Sequence, residues 1–111
     1  MIIHDPAKAA AAAVTAKPSR PATAVVHDSP DARLVVFRIE PGQQVAPHTS
    51  PSTVLLSVLS GSGIVSDAVE ECAVGPGALI SFAPDEVHGM RALDERFCVL
   101  AVIAPRPGAA H

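Results

Sequence analysis

The amino-acid sequence predicts an all-β fold, an antiparallel barrel or sandwich, and three observations support this. From residue 22 onward the chain consists of short β-branched runs separated by turn residues. The turns recur at intervals of roughly 8 to 12 residues, a spacing typical of sandwiches and barrels. No apolar pattern of helical period follows residue 14. We therefore expect about eight strands, because the spacing divides the chain into that many runs.

The length and composition predict one globular domain with short extensions. A chain of 111 residues is long enough for one hydrophobic core and too short for two. Hydrophobic residues make up 49% of the chain and charged residues 17%, which argues against general disorder. We predict an arm over residues 1–22, a barrel over residues 23–105 and a tail over residues 106–111.

The arm is rich in alanine and proline and lacks the alternation of a strand. Its alanine run, residues 8–13, is long enough for one or two helical turns, but a helix of that length is marginal unless it packs on something. We predict a flexible arm, with docking on a partner as the alternative. Residues 22–28, ATAVVHD, follow Pro21 and have strand character, which favours an edge strand exchanged between two subunits.

The barrel segment contains seven further strand-like runs. They cover residues 33–40, 53–60, 63–67, 69–74, 78–83, 87–93 and 96–104. The third and fourth runs predict a hairpin, and the SGSG sequence at residues 60–63 is interpreted as another hairpin turn. The predicted core includes Val35, Phe37, Leu55, Val58, Ile80, Phe82, Val99 and Ala101. The tail lacks core-forming residues, so we expect it to be loose.

The composition excludes several classes of partner. The chain has 8 basic and 11 acidic residues with no basic cluster, which argues against nucleic-acid binding. No apolar run approaches the roughly 18 to 20 residues that span a bilayer, and Asp5 and Pro6 interrupt any secretory signal. Cys72 and Cys98 have no C-x-x-C spacing, and Cys98 lies in an apolar run, which predicts a buried free thiol. We expect a soluble cytoplasmic protein.

A pattern of glycine, histidine and serine begins at residue 42. In the sequence GQQVAPHTSPSTVLLSVLSG, five residues separate Gly42 from His48 and one separates His48 from Ser50. Three residues then separate Ser50 from Val54, and six separate Val54 from Gly61. This resembles the first motif of the cupin family, G-x5-H-x-H-x3-E-x6-G. Every spacing is kept, but Ser50 replaces the second histidine and Val54 replaces the glutamate.

A second pattern begins at Gly77 with the sequence GALISFAPDEVHGMRA. It is similar to the second cupin motif, G-x5-P-x-G-x2-H-x3-N, with Ala83, Asp85 and Ala92 at the proline, glycine and asparagine positions. His88 falls where the family has its third histidine. The resemblance covers residues 33–104 and implies a small single-domain RmlC-like cupin, an antiparallel double-stranded β-helix or jelly-roll barrel.

The resemblance implies a ligand pocket lined by His48, Ser50, Val54 and His88. It carries over only His48 and His88 as metal ligands, and two imidazoles rarely hold a divalent ion tightly. Ser50 and Glu86 are the local substitutes, since residues two apart in a strand share a face with each histidine. We expect no tightly bound metal, with zinc, iron, manganese or nickel as the alternative.

Each histidine also has a structural interpretation that involves no ligand. His48 follows Pro47 and is consistent with a surface turn. His88 lies between Val87 and Gly89 and is consistent with a core imidazole that bonds a backbone carbonyl. Their joint register with both motifs favours placement in the pocket.

Three functions are compatible with the sequence. The first is a small-molecule-binding cupin without catalysis, because the Val54 substitution leaves a drier pocket. The second is a metal-dependent enzyme, dioxygenase-like or isomerase-like, that uses His48 and His88. The third is a structural homodimeric module. No nucleophile elbow, phosphate-binding loop or dinucleotide fingerprint occurs in the sequence.

Overall fold

Nine antiparallel strands and one short helix form the fold in a computed structural model, which describes residues 1–108. The helix is α1 (Pro6–Ala12). The strands are β1 (Ala22–Asp28), β2 (Arg33–Ile39), β3 (Gln44–His48), β4 (Thr53–Ser60), β5 (Gly63–Ser66), β6 (Glu71–Val74), β7 (Leu79–Phe82), β8 (His88–Ala92) and β9 (Phe97–Ala104). Residues 109–111 of the predicted loose tail lie outside the described residues.

Two sheets face each other and enclose the main core. One has five strands in the order β1-β2-β9-β4-β7, and the other has four in the order β3-β8-β5-β6. All pairings between named strands are antiparallel. This antiparallel arrangement confirms the predicted all-β jelly roll, and residues from both sheets form the core between them.

The predicted core is correct for half of its members. Val58, Phe82, Val99 and Ala101 are buried, whereas Val35, Phe37, Leu55 and Ile80 are half-buried. Leu55 and Val58 could not both face the core, since residues three apart in a strand point to opposite faces. Val54 and Leu56, which share the inner face with Val58, are buried instead.

Large, fully buried side chains fill the end of the barrel where β9 begins, which we call the closed end. Phe97 and Ile39 are directly opposed in the β2–β9 pairing, and both are fully buried. A Cβ atom added to Gly63 would clash with the Phe97 ring, so only glycine fits beside it. On the surface nearby, the Arg96 guanidinium donates three hydrogen bonds of 2.9 to 3.2 Å to the Glu40 carboxylate.

The predicted hairpin over residues 63–74 is confirmed, but the SGSG interpretation was wrong. β5 pairs with β6 in register from Gly63 opposite Val74 to Ser66 opposite Glu71. β4 and β5 belong to different sheets, so SGSG carries the chain across the sandwich. Gly61 has φ of 72° in this connection, and a Cβ there would clash with the Arg96 carbonyl.

Strand β3 was not predicted. It contains Pro47 and lies at the edge of the four-stranded sheet, where a residue without an N–H group is tolerated. Four of its five residues are exposed, all but Val45, so it lacks the alternation that identifies a strand. The missed strand is the one that carries His48.

Helix α1 packs on the outer face of the five-stranded sheet. Asp5 caps it by accepting a 3.1 Å hydrogen bond from the Lys8 amide, and Pro6 occupies the first turn, where its missing N–H costs nothing. Ala10 is fully buried against Val36. Part of the segment predicted to be flexible is thus a packed helix, and the division into arm, barrel and tail stays a prediction. No helix within residues 1–108 is long and apolar enough to cross a membrane.

Candidate functional site

The two motif histidines meet at the opposite end of the barrel, which we call the open end. His48 is the last residue of β3 and His88 is the first residue of β8, and their Cα atoms are directly opposed. The ring centroids are 4.3 Å apart, with the planes inclined at 60°. The structure therefore brings together two residues that are 40 positions apart in the sequence, as the motif register predicted.

Both imidazoles are held in the same way. His48 Nδ1 lies 2.9 Å from the Ala46 carbonyl oxygen, and His88 Nδ1 lies 3.0 Å from the Glu86 carbonyl oxygen. A carbonyl oxygen only accepts hydrogen bonds, so each Nδ1 must carry the hydrogen and donate it. In the neutral rings each Nε2 therefore has a free lone pair.

A cavity of about 270 Å³ opens beside these rings. All four predicted pocket residues line it, together with apolar side chains from both sheets. Its walls are formed by Phe37, Val45, His48, Thr49, Ser50, Pro51, Val54, Leu56, His88, Gly89, Met90, Ala101, Ile103 and Pro107. The only ionisable groups among these lining residues are the two imidazoles.

His88 is the more enclosed of the pair. It is 6% exposed, and the Phe82 ring lies 5.0 Å from its own, centroid to centroid. Burial lowers the pKa of the His88 imidazole, the hydrogen bond to the Glu86 carbonyl opposes this, and the nearby His48 ring lowers it further. The neutral form of His88 is thus favoured in the folded protein.

The other predicted site residues have separate partners. Ser50 Oγ accepts a 3.2 Å hydrogen bond from the Ser52 amide. The Glu86 carboxylate accepts a 2.9 Å bond from the Ala83 amide and lines a different groove, beside Phe82. The structure does not bring the Glu86 carboxylate into the cavity that contains the histidine pair.

The match to a family model decides which family these features represent. Residues 35–103 match the model described as "Cupin domain". The chain belongs to the cupin family. The matched segment contains both histidines and every strand from β3 to β8, so the family assignment and the cavity rest on the same part of the molecule.

Solved structures with the cupin fold are similar over most of the chain. TT1209 from Thermus thermophilus is 26% identical, with a TM-score of 0.85 over 96% of this chain and 100% of the other. An RmlC-like cupin from Desulfovibrio desulfuricans is 27% identical, with a TM-score of 0.74 over 85% and 91%. A DMSP lyase from Ruegeria pomeroyi, 18% identical with a TM-score of 0.70 over 77% and 47%, shares the fold alone. No curated protein matches the chain.

The donors at the open end do not fit the metal centre that a cupin barrel implies. Ser50 and Val54 line the cavity at the positions of the family's second histidine and its glutamate. Within the part of the chain that the structure describes, no three His, Cys, Asp or Glu residues are grouped closely enough to hold a metal ion. Two imidazoles without an anionic partner leave a divalent ion short of ligands and of compensating charge.

Several residues of this cupin cavity were missed from the sequence, Met90 and Pro107 among them. Met90 lines the cavity and lies two residues after His88, so strand alternation was the signal that could have found it. Pro107 also lines the cavity, although its segment was predicted to be loose and offered no signal. Asp85 has φ of 67° at the family's glycine position, a conformation that aspartate tolerates better than most residues.

Proposed function

We propose that this cupin binds a compact, mainly apolar small molecule in the open-end cavity without a tightly held metal ion. The observation that carries the proposal is the composition of the cavity wall, in which two imidazoles lie among aliphatic and aromatic side chains. Binding sites for small molecules are commonly apolar pockets in which a few polar groups fix the orientation of the ligand.

The cavity size sets the size of the ligand. Its volume is about 270 Å³, whereas an apolar cavity of about 150 Å³ is enough for a benzene molecule. A single substituted ring or an aliphatic molecule of similar volume therefore fits. Burying such a molecule contributes roughly 25 cal/mol for each Å² of apolar surface removed from water.

A titration followed by NMR tests this proposal. We expect compact aromatic and aliphatic compounds to shift the methyl signals of Val54, Leu56 and Ile103 in protein kept in a metal chelator. The Ala101→Leu variant should abolish these shifts, because the larger side chain fills the cavity. Ala73→Leu makes the same change at an exposed position of β6 and should leave binding intact.

Two outcomes of this titration would refute the proposal. One is that no compound shifts the cavity methyl signals in the wild-type protein. The other is that Ala101→Leu binds as well as Ala73→Leu, which would place the ligand elsewhere.

A metal-dependent enzyme is the second candidate. The observation in its favour is that both Nε2 lone pairs are free, as they are in histidines that bind metals through Nε2. Two protein ligands would then need water or substrate to complete the coordination. Metal analysis of protein purified without a chelator tests this candidate, and stoichiometric metal would favour it over the metal-free site.

The assembly and location of the protein are also proposals. We propose a homodimer, because β1 is an edge strand of the five-stranded sheet and Val25 on it is 58% exposed. Within one chain β1 pairs with β2. Light scattering on the full-length protein and on a variant lacking residues 1–28 measures whether this segment holds two subunits together.

We also propose a cytoplasmic location, in line with two unpaired cysteines.

A further inference from the structure

We propose that the ligand of the open-end cavity carries a neutral hydroxyl group, as an alcohol or a phenol, which donates its hydrogen to the histidine pair. This inference rests on the proposed function and specifies the chemistry of the ligand. It follows from the two Nε2 acceptors that the cavity offers and from the absence of a lysine or arginine among its described lining residues.

The two rings offer acceptors only. Each Nδ1–H is used on the carbonyl oxygen two residues earlier, at Ala46 and at Glu86. Each ring thus presents an Nε2 lone pair as its remaining polar group. Bonding of Nδ1–H to a carbonyl also makes Nε2 more basic and hence a better acceptor.

The rings cannot satisfy each other. The centroids are only 4.3 Å apart, but hydrogen bonding between the rings would require one of them to donate, and in their neutral forms neither has a free N–H. No hydrogen bond joins either Nε2 to a group in residues 1–108, although the hydroxyls of Thr49 and Ser50 line the same cavity. His48 is exposed, so water can supply donors to these acceptors in the free protein, and a ligand that displaces this water must bring a donor of its own, as a hydroxyl does.

The same wall disfavours other ligand classes. No lysine or arginine lines the cavity in the described chain, so an anion would lose its hydration without gaining a cationic partner. A ketone, ester or ether presents only acceptors, so it cannot form a hydrogen bond with either Nε2. A hydrocarbon fits the apolar wall but leaves both Nε2 atoms without a partner.

Three para-substituted toluenes separate these possibilities at pH 8 in chelator, and the first two are nearly equal in size. They are 4-methylphenol, 1,4-dimethylbenzene and 4-methylbenzoate. At this pH the phenol is neutral, the benzoate is an anion, and histidine at its ordinary pKa is neutral. Hydrophobic burial alone favours the dimethylbenzene, whereas a hydrogen bond to Nε2 favours the phenol. We expect the phenol to bind about tenfold more tightly than the dimethylbenzene, and the benzoate more weakly than both.

Two outcomes overturn this inference and leave the proposed function standing. One is that the dimethylbenzene binds as tightly as the phenol, and the other is that the benzoate binds more tightly than the phenol. If no probe shifts the methyl signals of Val54, Leu56 or Ile103, the proposed function and the inference both fail. Binding of the phenol that requires added zinc likewise contradicts both, because the proposed function needs no metal ion.

Variants test whether the two imidazole rings cause the preference for the phenol over the dimethylbenzene. His48→Leu and His88→Leu should each reduce the ratio of phenol to dimethylbenzene affinity, because each removes one acceptor. Ile103→Val changes the apolar wall and should weaken both probes alike, so the ratio stays. If His88→Leu does not fold, ring ¹⁵N spectra of the wild-type protein provide an independent test. Hydrogen on Nδ1 of both rings supports the inference, and hydrogen on Nε2 of either ring overturns it.

Discussion

The two ends of this barrel are built from the same strands but packed in different ways. At the closed end Phe97 and Ile39 fill the space between the sheets and are fully buried. At the open end β9 contributes Ala101 and Ile103, and a cavity of about 270 Å³ remains. The closed end therefore stabilises the fold, and the open end leaves room for a ligand.

Strand β4 makes this contrast within a single element. Val54 and Val58 are the same residue type on the same face and are 4% and 3% exposed. Val54 lines the cavity, whereas Val58 is packed opposite Val99. The exposed fraction alone does not distinguish a residue of the binding site from a residue of the packed core.

The largest expected effect is at the closed end. Phe97→Ala should lower the free energy of unfolding by about 3 to 5 kcal/mol, because it removes a fully buried ring and leaves a void. Leu79→Ala, at a position that is 69% exposed, is the control and should change stability by less than about 0.5 kcal/mol. Urea unfolding measures both. A loss below 1 kcal/mol for Phe97→Ala would show that the closed end is not the better packed one.

The next effect is on metal binding at the open end. We predict substoichiometric metal in the purified protein, and an affinity for zinc that rises about hundredfold in the variant with Ser50→His and Val54→Glu. The two changes add an imidazole and an anion beside His48 and His88. The control is Ser50→Asn with Val54→Gln, which adds polar volume without either ligand. Competition with a chromophoric chelator measures the affinity, and equal values for the two variants would contradict the prediction.

The matched valines give a smaller and more direct comparison. Val58→Ala should cost about 1 kcal/mol more than Val54→Ala in the free energy of unfolding. Both lose the transfer free energy of two methyl groups, but only Val58→Ala creates a new enclosed cavity. Val54→Ala should alter ligand affinity, and Val58→Ala should not. Equal losses of stability in urea would mean that the open end is as tightly packed as the closed end.

The smallest effect concerns pH. Because the pKa of His88 is lowered in the folded state, the unfolded chain binds its proton first as the pH falls. The stability that neutral His88 contributes is complete above about pH 6.5 and is lost below it. The difference in unfolding free energy between wild type and His88→Gln should therefore narrow from about pH 7.5 to about pH 5.5. A difference that widens over this range would mean that His88 is favoured in its charged form.

The sequence predicted the fold better than the details of the site. β2, β4 and β9 are long β-branched runs, and all three were found within one residue of their ends. β3 was missed because Pro47 interrupts it, although edge strands allow proline. SGSG was misinterpreted because a hairpin turn and a crossing between sheets use the same residue types.

The histidine pair was predictable because two motif spacings fix it. Its hydrogen bonding was not, since the carbonyl groups that orient the rings belong to Ala46 and Glu86, whose identities do not matter. Pro107 reaches the cavity through the path of the chain after β9, which no local pattern encodes. Local patterns thus specified the strands, whereas the cavity depends on contacts between distant segments.

The position of Cys98 beneath helix α1 makes its thiol a reporter of helix docking. Cys98 is 6% exposed and packs in the cluster that contains Ala10, whereas Cys72 is exposed on β6. An alkylating reagent should reach Cys72 at once and Cys98 only while the helix is detached from the sheet. The ratio of the two modification rates measures how often the N-terminal segment opens, with the faster thiol as an internal standard in the same molecule.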